Sequence, residues 1–339
     1  MTGYERITRV FQGEQTDRVP TMLHCFMPAA QEAGYTMKQF RENPKYMAES
    51  YIRFAKKYGL DGILIDMDTC LEAYALGAMV DFPDDEPARL TGPAGADLET
   101  ILDGIDIKKL DIDARVQNHL EAIRLIKKEV GGDIFVRGNA DQGPFSLAMM
   151  LYGMEDFFMD LMDEDMEEGI MELIDRCYDV HLRFHHLVNE AGADMTSFGD
   201  SSCGPDLISR DMYLRFSAPY HKRLKKDLSD AGIDTVCHIC GNLDNILEDV
   251  ADIEFAGFEV DYKTDIKKAQ KAFESKSVFF GPIDPSNIFY FGDPGVVAAK
   301  TAEVLDIFSG KGLVIGAGCA LPVGTPEANI RAFVDTVKI

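Results

Sequence analysis

The sequence predicts an α/β fold, a (β/α)8 barrel with extra N-terminal helices, on three observations. Short β-branched runs alternate with long amphipathic stretches across 339 residues, 46% of them hydrophobic, which is enough to bury a large core. Several of the runs end in polar or reactive side chains, as expected where barrel strands meet at one functional face. No G-x-G-x-x-G follows the first run, which disfavours the competing doubly wound dinucleotide-binding sheet.

The eight expected strands are Val19–Leu23, Gly62–Asp66, Ile134–Gly138, Asp194–Phe198, Thr235–Cys240, Gly257–Asp261, Val278–Gly281 and Leu313–Gly316. Helical periodicity fills the intervals at Lys45–Lys57, Val116–Val130, Glu164–Glu190, Arg210–Ala231, Ile266–Phe273, Pro294–Ser309 and Pro326–Val337. Pro294 and Pro326 suit a first helical turn, with Asp293 and Thr325 as caps. Residues 1–60 hold the first strand and add helices before the barrel is complete. Asp81–Asp103, acidic and rich in Pro and Gly, reads as a long surface excursion, so residues 1–339 are expected to form one domain.

A net charge of −24 argues against nucleic acid and anionic membranes as partners, and against a polyanionic substrate unless a local basic pocket receives it. No apolar run is long enough to span a bilayer, and Met1–Arg6 lacks a signal-peptide core. Seven scattered cysteines, an odd number, read as free thiols in a reducing cytoplasm.

The chemistry is concentrated in His238-Ile239-Cys240-Gly241 and in Gly318-Cys319. Each segment closes a short apolar run. One imidazole and two thiolates make a three-ligand set for a thiophilic metal, Zn²⁺ foremost, with a fourth position left open. Other polar residues at strand ends are His24, Cys25, Asp66, Asp68, Arg137, Asn139, Asp141, Asp200, Glu259, Asp261 and Asp284. Asp200 is a candidate to bind substrate or to complete a resting metal shell. Glu259 and Asp261 are alternatives for that role, or carboxylates that orient the ligating histidine. Cys237 alternates with His238 and is expected in the core, and Cys203 is a weaker metal candidate. His181, His185 and His186 share a helical stretch without an H-E-x-x-H motif and read as helix-surface or packing residues.

Taken in order, the motifs resemble the uroporphyrinogen decarboxylase superfamily over nearly the whole chain. The matching pieces are Arg6–Phe11 with Asp17-Arg18-Val19-Pro20, Ala191-Gly192-Ala193-Asp194, Cys203–Ser209, His238–Asn242, Gly281-Pro282-Ile283-Asp284-Pro285, and Gly318-Cys319 with Thr325–Ile330. The branch it resembles most is that of the zinc-dependent corrinoid methyltransferases, including methylcobalamin:coenzyme M methyltransferases and O-demethylase components. In the decarboxylases an arginine-containing segment after the first strand holds substrate carboxylates. Here that stretch is Thr21–Met27, and no Arg lies between Arg18 and Arg41.

The resemblance therefore implies a methyltransferase in which His238, Cys240 and Cys319 carry zinc. The alternative is a metal-free decarboxylase-like enzyme, and a third reading is a binding protein that kept the fold. The implied reaction moves a methyl group between a small donor or thiol acceptor and cobalt. Asp179-Val180-His181 begins like the cobalamin motif D-x-H-x-x-G, but Phe184 stands where its glycine would be, so a separate corrinoid protein is the expected partner.

Overall fold

The computed structural model describes residues 1–338. Its main sheet contains eight strands, in the order β1 (Met22–Leu23), β2 (Gly62–Ile65), β5 (Phe135–Gln142), β6 (Met195–Gly199), β7 (Thr235–Ile239), β8 (Gly257–Val260), β9 (Val278–Ile283) and β10 (Leu313–Ala317). All neighbouring pairs are parallel. A parallel bridge from Thr21 to Ile315 closes the sheet into the expected barrel. The acidic excursion folds into a small antiparallel hairpin, β3 (Met79–Asp81) with β4 (Arg89–Gly92), followed by the helix Leu98–Gly104.

The structure departs from the sequence reading in several places: the last helix is Glu327–Val337 with Pro326, not Thr325, at its cap, the Thr325 hydroxyl donating instead to the Pro322 carbonyl, and β5 runs on to Gln142. The first strand shortens to two residues. Pro20 offers no N–H, and the Thr21 N–H goes to the Asp61 carboxylate (2.8 Å) rather than to a ladder. The helix expected over 210–231 breaks at Ser217 into Arg210–Phe216 and Ala218–Asp230. Pro219 explains the break, because its ring excludes a hydrogen bond to the preceding turn.

Strand alternation divides the apolar residues between two cores. Met22, Leu64, Phe135, Met195, Val236, Val278, Phe280 and Val314 fill the lower barrel. Their sequence neighbours, such as Ile63, Val136, Cys237 and Phe279, face outward into the larger core under the helices. The bottom is plugged by the helix Gly3–Phe11, which brings Ile7 and Val10 into the inner cluster and sets the Phe11 ring 6.3 Å from that of Phe135. That helix starts at a reciprocal cap: the Thr2 hydroxyl accepts the Glu5 N–H, and the Glu5 carboxylate accepts the Thr2 N–H.

Asp61 locks the plug. Its carboxylate pairs with Arg6 of the helix, accepts from Arg18 (2.6 Å), and takes both the N–H and the hydroxyl of Thr21. Arg6 and Asp61 are both buried. Removing the anion leaves the buried Arg6 guanidinium only its more exposed partner Asp17 (2.6 Å) and strips Arg18 and the N–H and hydroxyl of Thr21 of their acceptor. Asp61→Ala is therefore expected to cost about 3–5 kcal/mol of unfolding free energy in chemical denaturation. A loss of less than about 1 kcal/mol, the value of a surface pair, would contradict this role.

Candidate metal centre at the barrel mouth

Strand β7 sends Val236 inward and Cys237 outward, so the same alternation turns His238 and Cys240 into the barrel and Ile239 away from it. Cys237 is fully buried in the outer core, as expected. Cys319 lies two residues beyond β10, and the closed sheet brings it to the same mouth. His238 Nε2 is 2.9 Å from Cys240 Sγ, and the donor atoms of His238, Cys240 and Cys319 all lie within 4.8 Å of one another. All three residues are half-buried. Gly241 follows at φ +97°, and a Cβ there would stand 2.5 Å from Asp206 Oδ2, so the chain can turn away from the centre only with glycine.

The donors are oriented and charged for a divalent soft metal. His238 Nδ1 donates to the Glu259 carbonyl (3.0 Å), which leaves Nε2 directed at the sulfurs. A hydrogen bond from Cys319, helped by His238, holds the Cys240 thiol well below its usual value despite burial, and raises Cys319 in return. Burial works against a charged His238, but Cys240 and then Glu259 outweigh it and lift the imidazole to about 10. The shifts run toward a charged imidazole beside a Cys240 thiolate, with the Cys319 thiol raised. Displacing one proton from His238 and one from Cys319 gives the donor set that Zn²⁺ prefers at no net change in charge. These residues fit the metal.

Beneath the trio lies a buried ion pair. Arg137 of β5 donates to Glu259 Oε2 of β8 (2.6 Å), and its guanidinium carbon sits 5.0 Å from the Phe280 ring centroid. Burial pushes the Glu259 carboxyl up, but Arg137, followed by His238 and His24, holds it below the usual range. Glu259 Oε1 stands 3.8 Å from His238 Nδ1, which puts this carboxylate beside the expected ligand. On the β1–β2 side, His24 Nε2 lies 2.8 Å from Asp66 Oδ2. The Leu321 N–H bonds the His24 carbonyl, tying that edge to the Cys319 loop.

Other strand-end residues are placed elsewhere. Asp200 lies outside the trio, in a second group of donors with Cys203 and His221 whose ligand atoms all lie within 4.8 Å of one another. Met195 and Ser197 face inward, so Phe198 and Asp200 take the outward phase. The fully buried Asp200 carboxylate accepts the Ser146 N–H (2.8 Å) and meets His221 Nε2 (2.9 Å), away from the trio. Asp261 accepts the Gly241 N–H (2.9 Å), Asp284 caps the following turn, and Asp68 pairs with Arg115. Asp141 sits at φ +59° in a bulge of β5, which redirects its carboxylate to the Glu72 N–H. His181 and His185 are packing residues, wholly buried against Phe198 with ring centroids at 5.1 and 5.6 Å.

Sequence reasoning missed Glu72 and His221. Both lie on helices, fully buried, and only the assembled barrel supplies their partners. Glu72 accepts the Gln142 N–H and has its Oε1 3.4 Å from His181 Nδ1. Burial raises the Glu72 carboxyl well above its ordinary value and lowers His181 to about 3, so both shifts run toward the uncharged forms.

A closed parallel barrel with one imidazole and two thiol donors gathered at its carboxyl mouth defines a TIM-barrel protein whose donor set a thiophilic metal would fit. The chain belongs to the uroporphyrinogen decarboxylase (URO-D) family, whose profile matches residues 2–339. It is 28% identical to the methylcobamide:CoM methyltransferase MtbA of Methanosarcina acetivorans, covering 100% of this chain and 99% of the relative. Identity to the methylcobamide:CoM methyltransferase MtaA of Methanosarcina barkeri is 26%, over 97% of this chain and 95% of that one. A uroporphyrinogen decarboxylase of Chlorobaculum tepidum is 26% identical over 88% and 85%. Among solved structures, a methyltransferase from Methanosarcina mazei superposes with a TM-score of 0.89 at 24% identity, covering 99% of this chain and 98% of that one, which establishes the shared fold.

The raised Glu72 has a consequence for stability. A carboxyl raised in the folded state keeps its proton to higher pH than in the unfolded chain, which ionises from about pH 4.3, so folding takes up a proton and stability falls as pH rises above that value. Wild type should lose stability relative to Glu72→Gln as pH rises from about 4.5, at up to about 1.4 kcal/mol per pH unit. Denaturant melts across that range test it. A wild-type-minus-variant difference that stays flat would contradict a raised Glu72.

Proposed function

We propose that the protein is a zinc-dependent methyltransferase that moves a methyl group between a small methylated donor or thiol acceptor and the cobalt of a separate corrinoid protein. The observation that carries this reading is the convergence of His238 Nε2, Cys240 Sγ and Cys319 Sγ at the mouth of the barrel. Full-length similarity to relatives named as methylcobamide:CoM methyltransferases supports it. When bound, zinc supplies a Lewis acid with an open position, at which a thiol loses its proton or the heteroatom of a methyl donor is polarised.

The chain's own residues do the rest. Cys240 and Cys319 hold the metal as thiolates, and His238 holds it through Nε2 while Nδ1 stays bonded to the Glu259 carbonyl. Arg137 keeps Glu259 ionised beneath the imidazole, so the carboxylate field steadies the ligand set without carrying a net charge into the core. The His24–Asp66 pair forms the polar wall on the β1–β2 side. No arginine follows β1 to receive a tetrapyrrole's carboxylates, which favours methyl transfer over decarboxylation.

The corrinoid belongs to a partner. His181, in the segment that begins like a cobalamin motif, is wholly buried and packed on Phe198, so it is not free to meet a cobalt. The partner docks over the carboxyl face, where the metal's open position is reached. Among the described residues no helix is long and apolar enough to cross a membrane, and thiolate ligands suit a reducing compartment such as the cytoplasm.

The test is transfer from methylcobalamin to 2-mercaptoethanesulfonate, with methyl ethers and free Co(I) corrinoid for the opposite direction. Cys319→Ser and His238→Ala should melt cooperatively, because the barrel core does not depend on a mouth ligand, yet lose more than about 100-fold in rate. Variants that transfer methyl groups at wild-type rates would refute the zinc mechanism. Variants that cannot fold would make the metal structural.

A further inference from the structure

The turn that follows β6 braces the backbone of the ligand strand from outside the barrel. The Asp200 N–H donates to the His238 carbonyl (2.8 Å), which carries the β6–β7 pairing one residue past Gly199. Cys240 lies beyond the last residue of β7, and its N–H donates to Ser201 Oγ (3.2 Å) in the same turn. A Cβ on Gly204 would stand 3.0 Å from the Cys240 carbonyl oxygen, so the turn lies directly against this ligand.

One buried carboxylate holds the turn in place. Asp200 Oδ1 accepts the Ser146 N–H (2.8 Å) in the first turn of the helix Pro144–Tyr152, where the helix dipole favours an anion. Asp200 Oδ2 lies 2.9 Å from His221 Nε2, and the Tyr213 hydroxyl stands 3.3 Å behind at His221 Nδ1. The Ser202 N–H donates to Ser146 Oγ (3.0 Å). A Cβ on Gly143 would stand 2.5 Å from the Asp200 carboxyl carbon, so the carboxylate is tightly enclosed. The donors of Asp200, Cys203 and His221 are spent on this scaffold: the carboxylate faces His221, and Cys203 Sγ donates to the Asp200 carbonyl (2.9 Å).

We propose that Asp200 is a positioning residue of the metal centre: its carboxylate, gripped by Ser146 and His221, fixes the turn that sets the backbone of His238 and Cys240. This rests on the zinc reading given above and deepens it. The pairing of β7 ends just where its two ligands are presented, and the anchored turn takes over from it. A ligand backbone free to drift would hold the metal less tightly and in a less defined geometry.

The experiment compares wild type with Asp200→Ala, Asp200→Asn and His221→Phe, well below their melting temperatures. Zinc stoichiometry and affinity are read by competition with a chromophoric chelator. Ligand geometry is read from the visible ligand-field band of the cobalt(II)-loaded proteins. Wild type should bind one zinc per chain. Asp200→Ala should bind it about 10-fold more weakly, with a weaker and broader cobalt band. Asp200→Asn still has an oxygen for the Ser146 N–H and an amide for His221, and should restore both readings. His221→Phe keeps the ring packing on Phe198 and Phe255 (centroids at 5.8 and 6.1 Å) but loses the hydrogen bond, and should also weaken zinc. That variant decides the matter if Asp200→Ala does not fold. Wild-type affinity with an unchanged band in the deciding variant overturns the proposal. So does an asparagine variant as weak as the alanine one, since the anchoring bonds would then not be the cause. Two zincs in wild type, one of them lost in Asp200→Ala, would make Asp200 a ligand and overturn it as well. A wild-type protein that takes up no zinc overturns the metal reading itself, and its own titration curve tells that failure from the others.

Discussion

Closure of the parallel barrel is the constraint on which the rest depends. Once Thr21 bridges to Ile315, each strand has only an inner and an outer face, and every second residue must take the inner one. Low in the barrel the inner positions are apolar, from Met22 round to Val314, and the plug helix seals them from water. Higher up, the same phase delivers Arg137, Glu259, His238 and Cys240. A substitution that slipped β7 by one residue would exchange His238 and Cys240 for Cys237 and Ile239, abolishing the site while leaving a plausible strand.

Charge in the mouth is arranged in neutral units. The buried Arg137–Glu259 pair is a weak source of stability, because desolvating both ions offsets most of their attraction. Its position explains it better. It places a carboxylate 3.8 Å from His238 Nδ1 while Arg137 cancels that charge toward the core. At the rim, Asp66 likewise has a basic side chain beside it, with His24 Nε2 at 2.8 Å. In a chain of net charge −24 this matters: a mouth with several unpaired carboxylates would attract hard cations and lower the selectivity for a soft one.

Much of this was legible in the sequence because it follows from period and spacing. A single residue between His238 and Cys240 puts both on one face of any strand, and Cys319 closes the last expected strand. All eight expected strands overlap the observed ones. Asp200 continues the outward phase of Phe198, but the partner that meets its carboxylate, His221, lies on a helix whose start depends on the break before Pro219 and so was not legible in the sequence. The Arg137–Glu259 pairing was equally hidden. Both residues were visible at strand ends, but their contact spans the barrel and exists only after closure.

The most direct test is the zinc-edge X-ray absorption of the purified protein, before and after addition of a thiol. The account predicts two sulfur scatterers at about 2.3 Å with one imidazole nitrogen at about 2.0 Å, and a third sulfur when thiol is present. Absence of zinc, or a shell made only of oxygen and nitrogen, would contradict the assignment of His238, Cys240 and Cys319 as the metal centre.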